Sequence, residues 1–176
     1  YSKELEDKEH YTKIISFLIG ALENHKNAEY ALSYFKNDII DFCGPIDMLT
    51  CLAPGNKLND LAHRFYWNLQ NYDEATKIYQ YLTDKANLSS LEGNAKNEAI
   101  ANLQVFYYRL GMMNLKKSNY YTARQNFIAG VAALKENIAI DNVENNWITM
   151  RLLNSRIALC YYEENNFINA IKYYKE

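Results

Sequence analysis

Chain breakers are scarce in this sequence: 176 residues contain only 2 Pro and 6 Gly. That scarcity excludes a turn-rich β-sandwich or barrel and favours long helices. An excess of one charge is missing as well, with 19 Lys and Arg against 21 Asp and Glu and a net charge of −2. Phosphate neutralisation supplies most of the affinity of nucleic-acid binders, so no nucleic-acid partner is expected. No run of five like charges occurs to make a polybasic membrane anchor. No segment approaches the ~20 apolar residues needed to cross a bilayer, and no membrane insertion is expected. The longest uncharged stretch, Cys43 to Asn56 apart from Asp47, holds Gly44, Pro45, Pro54 and Gly55 and reads as a loop.

Cysteine is also sparse. Cys43, Cys51 and Cys160 are too few and too scattered for a disulfide framework. An odd count among many apolar residues fits reduced, buried thiols and points to a cytoplasmic protein. The chain starts at Tyr1 without Met and stops inside an amphipathic pattern, which reads as a piece of a longer protein.

What the sequence does have is apolar residues at helical spacing, with hydrophobic residues at 49% of the total. A first helix is predicted from about Leu5 to Asn24, and a second carries Tyr30, Ala31, Tyr34, Phe35 and Ile39. A third spans Lys57 to Leu69 and a fourth Tyr72 to Ala86, followed by a polar connection from Asn87 to Asn94. The fifth, Ala95 to Lys117, carries the stripe Ile100, Leu103, Phe106, Tyr107, Leu110 and Met113. Tyr120 to Asn137 makes a sixth. Asp141 is read as the N-cap of a seventh reaching about Glu164, and an eighth begins near Asn166. Connections as short as Gln70-Asn71, Ser118-Asn119 and Asn165-Asn166 fold neighbouring helices back antiparallel.

Those helices repeat. Ala62-His63-x-x-Tyr66 precedes Asn71-Tyr72-Asp73-Glu74-Ala75-x-x-x-Tyr79. Tyr107-x-x-Leu110-Gly111 precedes Asn119-Tyr120-Tyr121-Thr122-Ala123-x-x-x-Phe127. Ile157-Ala158-x-x-Tyr161 precedes Asn165-Asn166-Phe167-Ile168-Asn169-Ala170-x-x-x-Tyr174. A fainter first copy is Ile15-x-x-Leu18-Ile19-x-x-Leu22 followed by Ala31-x-x-x-Phe35. A small residue on the first helix lets the pair approach closely, the Ala fits against that gap, and the aromatic one turn later fills the space beside it. The pattern resembles the tetratricopeptide repeat, an aromatic, a Leu-Gly pair and a Tyr, then Ala with an aromatic four residues on. Ala31, Ala75, Ala123 and Ala170 are 44, 48 and 47 residues apart. The standard repeat is shorter, so the likeness is to the wider superfamily. His63 departs from the pattern by standing where a small residue is expected, and the motif's terminal Pro is absent from every copy.

The resemblance implies an all-α fold, a right-handed superhelical stack of about four antiparallel helix pairs. The units fall at about 5–42, 57–87, 95–137 and 142–176, in one domain over 1–176. It also implies that the first helix of each pair lines a concave groove for a peptide or helix of a partner protein. Lys57, Asp60, Arg64, Trp67 and Asn68 then face the groove from the third helix. Val105, Tyr108, Met112, Leu115 and Lys116 do so from the fifth, and Leu152, Ser155, Arg156, Leu159, Tyr162 and Glu163 from the seventh. Aromatics and Arg dominate interface hot spots. The partner-binding set is therefore Arg64, Trp67, Asn68, Tyr108, Met112, Arg156 and Tyr162. The Lys, Asn and Arg set that clamps a terminal carboxylate in some members of the family is not matched, since Ser16, Gly20, Asp60 and Arg64 occupy its places and Arg109 and Arg156 fit its final Arg position alone.

No catalytic constellation is legible, and an enzyme is not expected. His10, His25 and His63 are scattered, no Cys-x-x-Cys or His-Glu-x-x-His occurs, and no glycine-rich phosphate loop is present. Neither a metal nor a cofactor is expected. Three functions remain: a protein-interaction scaffold, an architectural segment of a multisubunit complex, and a peptide-sensing regulatory domain.

Overall fold

The computed structural model describes residues 53–84, 92–140 and 148–176. The expected first pair with Ala31, and with it Ser16 and Gly20, lies outside them, as do Cys43, Cys51, His10, His25 and Asp141. Among the described residues there is helix and turn and no strand. Six helices follow in order: α1 Ala53–Trp67, α2 Tyr72–Asp84, α3 Gly93–Lys116, α4 Tyr120–Ile140, α5 Met150–Glu163 and α6 Phe167–Lys175. The chain divides into two compact units, Tyr1–Leu91 with α1 and α2, and Glu92–Glu176 with α3 to α6. In the first, α1 packs on α2; in the second, α3 packs on α4, α4 on α5 and α5 on α6.

The last two pairs are closed by the same device. Ser118 (φ 58°) and Asn165 (φ 59°) turn the chain through the left-handed region after α3 and α5. The Ser118 and Asn119 N–H groups donate to the Leu115 and Asn114 carbonyls at 3.0 and 2.9 Å. Those of Asn165 and Asn166 donate to Tyr162 and Tyr161 at 2.9 and 2.8 Å. Both are Schellman closures, which satisfy carbonyls that a helix end leaves bare. The second helix then starts on an asparagine. The Asn71, Asn119 and Asn166 carbonyls accept from the N–H groups of Ala75, Ala123 and Ala170. Asn71 and Asn166 also cap with their side chains, accepting from Glu74 and Asn169 N–H.

All three alanines are buried. Opposite them, counting from the helix ends, stand Ala62, Gly111 and Ala158, each five residues before the last residue of α1, α3 and α5. They are buried too. His63 is therefore not the departure it seems in sequence. The turn at 68–71 is one residue longer than those at 117–119 and 164–166, and Asn71 N–H reaches back to the Phe65 carbonyl (2.8 Å). That extra residue moves the small position to Ala62 and leaves His63 exposed.

Two helix starts differ most from the sequence reading. The expected loop from Cys43 gives way to helix at Ala53, because Pro54 falls in the first turn, where its missing N–H costs nothing. The helix expected from Asp141 starts instead at Met150. Thr149 caps it, its hydroxyl accepting from Leu152 N–H at 3.2 Å. The start of α5 is also tied to α3: the buried Gln104 donates from Nε2 to the Ile148 carbonyl at 2.8 Å.

The second unit's core is built where α4 meets its neighbours. Tyr108, Ala123, Phe127, Leu134, Leu153, Ile157 and Cys160 form one buried cluster with Ile148. Among the described residues, no helix is long and apolar enough to cross a membrane.

Candidate partner-binding surface

At the end of α1, Arg64, Trp67 and Asn68 are all exposed, Trp67 by 54%. The indole is held in place from one side. Tyr66 meets it edge-on with ring centroids 4.9 Å apart, His63 lies 6.0 Å away, and Tyr66 packs in turn on Tyr72 at 5.4 Å. Such a supported, half-open aromatic loses little side-chain freedom on binding, which suits an anchor.

In the second unit the expected residues separate by burial. Tyr108 is 6% exposed and sits in the core, its ring 6.0 Å from that of Phe127, so it serves packing and offers no face to a partner. Met112 packs against the same cluster, as do Val105, Leu115 and Leu152. Arg156 is half-buried, with Nε enclosed and without a hydrogen-bond partner. Tyr162 is 54% exposed and meets Phe167 edge-on at 5.6 Å. Ser155 bonds back to the Leu152 carbonyl at 2.7 Å, and Asp60, Lys116 and Glu163 are exposed.

The Tyr162–Phe167 contact begins a surface that sequence reasoning missed. Phe167, Ile168, Ile171 and Tyr174 are all exposed along α6, Ile168 by 85% and Tyr174 by 58%. With Ala123 matched to Ala170, they correspond to Tyr120, Tyr121, Arg124 and Phe127 of α4. On α4 the first position is half-buried and the last two are buried, because α5 lies over them. The signal was present in the spacing i, i+1, i+4, i+7 and in the isoleucine that stands where α4 has Arg124.

Arg124 shows what α5 brings to that face. Its guanidinium is nearly enclosed, paired with Glu164 and lying 4.2 Å above the Tyr161 ring and 5.3 Å from that of Tyr121. Charge and cation–π contacts thus join α4 to the end of α5. Beside them Cys160 is fully buried. Burial pushes its thiol up to about 11, Arg124 pulling the other way more weakly. An unfolded thiol loses its proton near 9.0, and the folded one holds it to about 11. The contribution is whole below the first value and vanishes as pH rises through the second. Urea melts are expected to show stability falling by up to about 2–3 kcal/mol over that window. Cys160→Ala should flatten the slope.

Among the described residues, no group of His, Cys, Asp and Glu is placed to hold a metal ion. No family model, no curated protein and no solved structure matches this chain.

Proposed function

We propose that this protein is an interaction scaffold of tetratricopeptide type, a right-handed superhelical stack of about four antiparallel helix pairs that holds a peptide or helix of a partner protein. The repeated turn, the asparagine starts and the three small-residue contacts support the architecture. The observation that carries the function is exposed aromatic and aliphatic surface at Trp67 and along Tyr162, Phe167, Ile168, Ile171 and Tyr174. Scattered apolar residues are ordinary on a protein surface, but a contiguous row of five large ones marks a place where a further polypeptide segment packs.

A second reading draws on α6 in particular. Its open face is the one that α5 covers on α4, so a helix from a neighbouring subunit would extend the packing edge to edge. That is the architectural role. A photo-crosslinking amino acid placed at Trp67 or at Ile168 separates the two. Protein adducts from position 67 support a groove, adducts from position 168 alone support edge-to-edge assembly, and none from either removes both. Under the groove reading, Trp67→Ala is expected to weaken partner binding by more than about 2 kcal/mol while leaving helical content and Tm unchanged.

A further inference from the structure

A cleft of about 420 Å³ opens between the three last helices. Ile128, Val131 and Lys135 of α4 form one wall, Met150, Asn154 and Ile157 of α5 the floor, and Tyr173 with Glu176 the other wall. The spacings i, i+3, i+7 on α4 and i, i+4, i+7 on α5 put each set on a single helix face. A cleft of this size is in the range of small-ligand and peptide side-chain sites.

Asn154 does not belong in such a place for structural reasons. It is only 6% exposed, and among the described residues its carboxamide makes no hydrogen bond. Other helical asparagines here do better: Asn114 and Asn126 each donate back to the carbonyl four residues earlier, at 2.9 Å. Asn154 forgoes that bond and lines the cleft. Its polar atoms meet the water of the cleft instead, and a ligand that displaces that water must replace the hydrogen bonds it makes.

The cleft's chemistry limits what can satisfy it. A pure hydrocarbon would leave the carboxamide unpaired. A strongly charged ligand finds no net charge, since Lys135 and Glu176 stand on opposite walls with opposite signs. What fits is a neutral group that both donates and accepts, flanked by an aliphatic body. A peptide group beside a Leu or Ile side chain has that composition, and a carboxamide pairs with it through one donor and one acceptor. We infer that the cleft takes an aliphatic stretch of a partner polypeptide, with one of its backbone peptide groups pinned by Asn154. This site shares no residue with Trp67 or with the open face of α6 and stands apart from the proposal made for them.

The test is a titration of the full chain with N-acetyl-leucine N′-methylamide, followed by NMR at the Asn154 side-chain NH2 and the methyls of Ile128, Met150 and Ile157. These signals are expected to shift together. The capped glycine analogue should bind at least about tenfold more weakly, and so should the capped leucine to an Asn154→Leu variant. The same variant is expected to melt at or above the wild-type Tm, because no internal bond is lost. Shifts that fail to appear, or an affinity unchanged in Asn154→Leu, would overturn the assignment. A lower Tm in Asn154→Leu would overturn it as well, by showing that the amide serves the fold.

Discussion

Phe127→Ala is expected to cost about 3–5 kcal/mol of stability, the usual result of emptying a fully enclosed aromatic site. Tyr174→Ala, at the corresponding place on α6, should cost only about 0.5 kcal/mol. Both residues follow a buried alanine by one helical turn, and both are large aromatics. What differs is the next helix. Phe127 lies in the cluster with Leu134, Leu153 and Ile157, and is closed in by α5. Tyr174 remains 58% exposed. Urea melts of the two variants read the contrast directly, and a like comparison with Tyr79→Ala extends it to α2, where the equivalent ring is fully buried. Equal losses at 127 and 174 would mean that α6 is covered in solution. Adding a docking partner should then raise the cost of Tyr174→Ala in the complex alone.

The same contrast explains how far the sequence could be read. The starts of α2, α4 and α6 were legible because a short link ending in asparagine precedes each one, and because alanine recurs three places into the helix. Helical periodicity places Tyr108 on an apolar face and Tyr174 on another, but it carries no information on which face a neighbouring helix will cover. Tyr108 was therefore expected on a binding surface and lies in the core, while Tyr174, expected to fill the space beside Ala170, lies open. The register of α1 was misread by one residue for a different reason. A turn longer by a single residue shifts every contact of the preceding helix, and only the fold shows it, in the burial of Ala62 against the exposure of His63. The ties made by Gln104 and Arg124 had no local signature, since their partners stand 44 and 40 residues away along the chain.

Gly111→Ala is expected to lower stability by about 2–3 kcal/mol, the opposite sign from the helix-propensity gain of about 1 kcal/mol that such a change brings in an open helix. Gly111 lies within α3, and its backbone is not in the left-handed region, so conformational freedom is not what the position needs. It needs the absence of a Cβ. A methyl group there would come within 2.4, 2.6 and 2.7 Å of three ring atoms of Phe127, far inside van der Waals contact. A rigid ring packed among Tyr108, Leu134 and Leu153 cannot swing aside cheaply, so α3 and α4 must separate. Phe127→Leu removes two of the three clashing atoms and leaves a smaller defect of its own. The double variant Gly111→Ala with Phe127→Leu should therefore lose at least about 1 kcal/mol less than the two single losses added together. A double-mutant cycle from urea melts measures that coupling. Strict additivity would show that the glycine is kept for some purpose other than the ring it faces, and would remove the physical basis for equating Gly111 with Ala62 and Ala158.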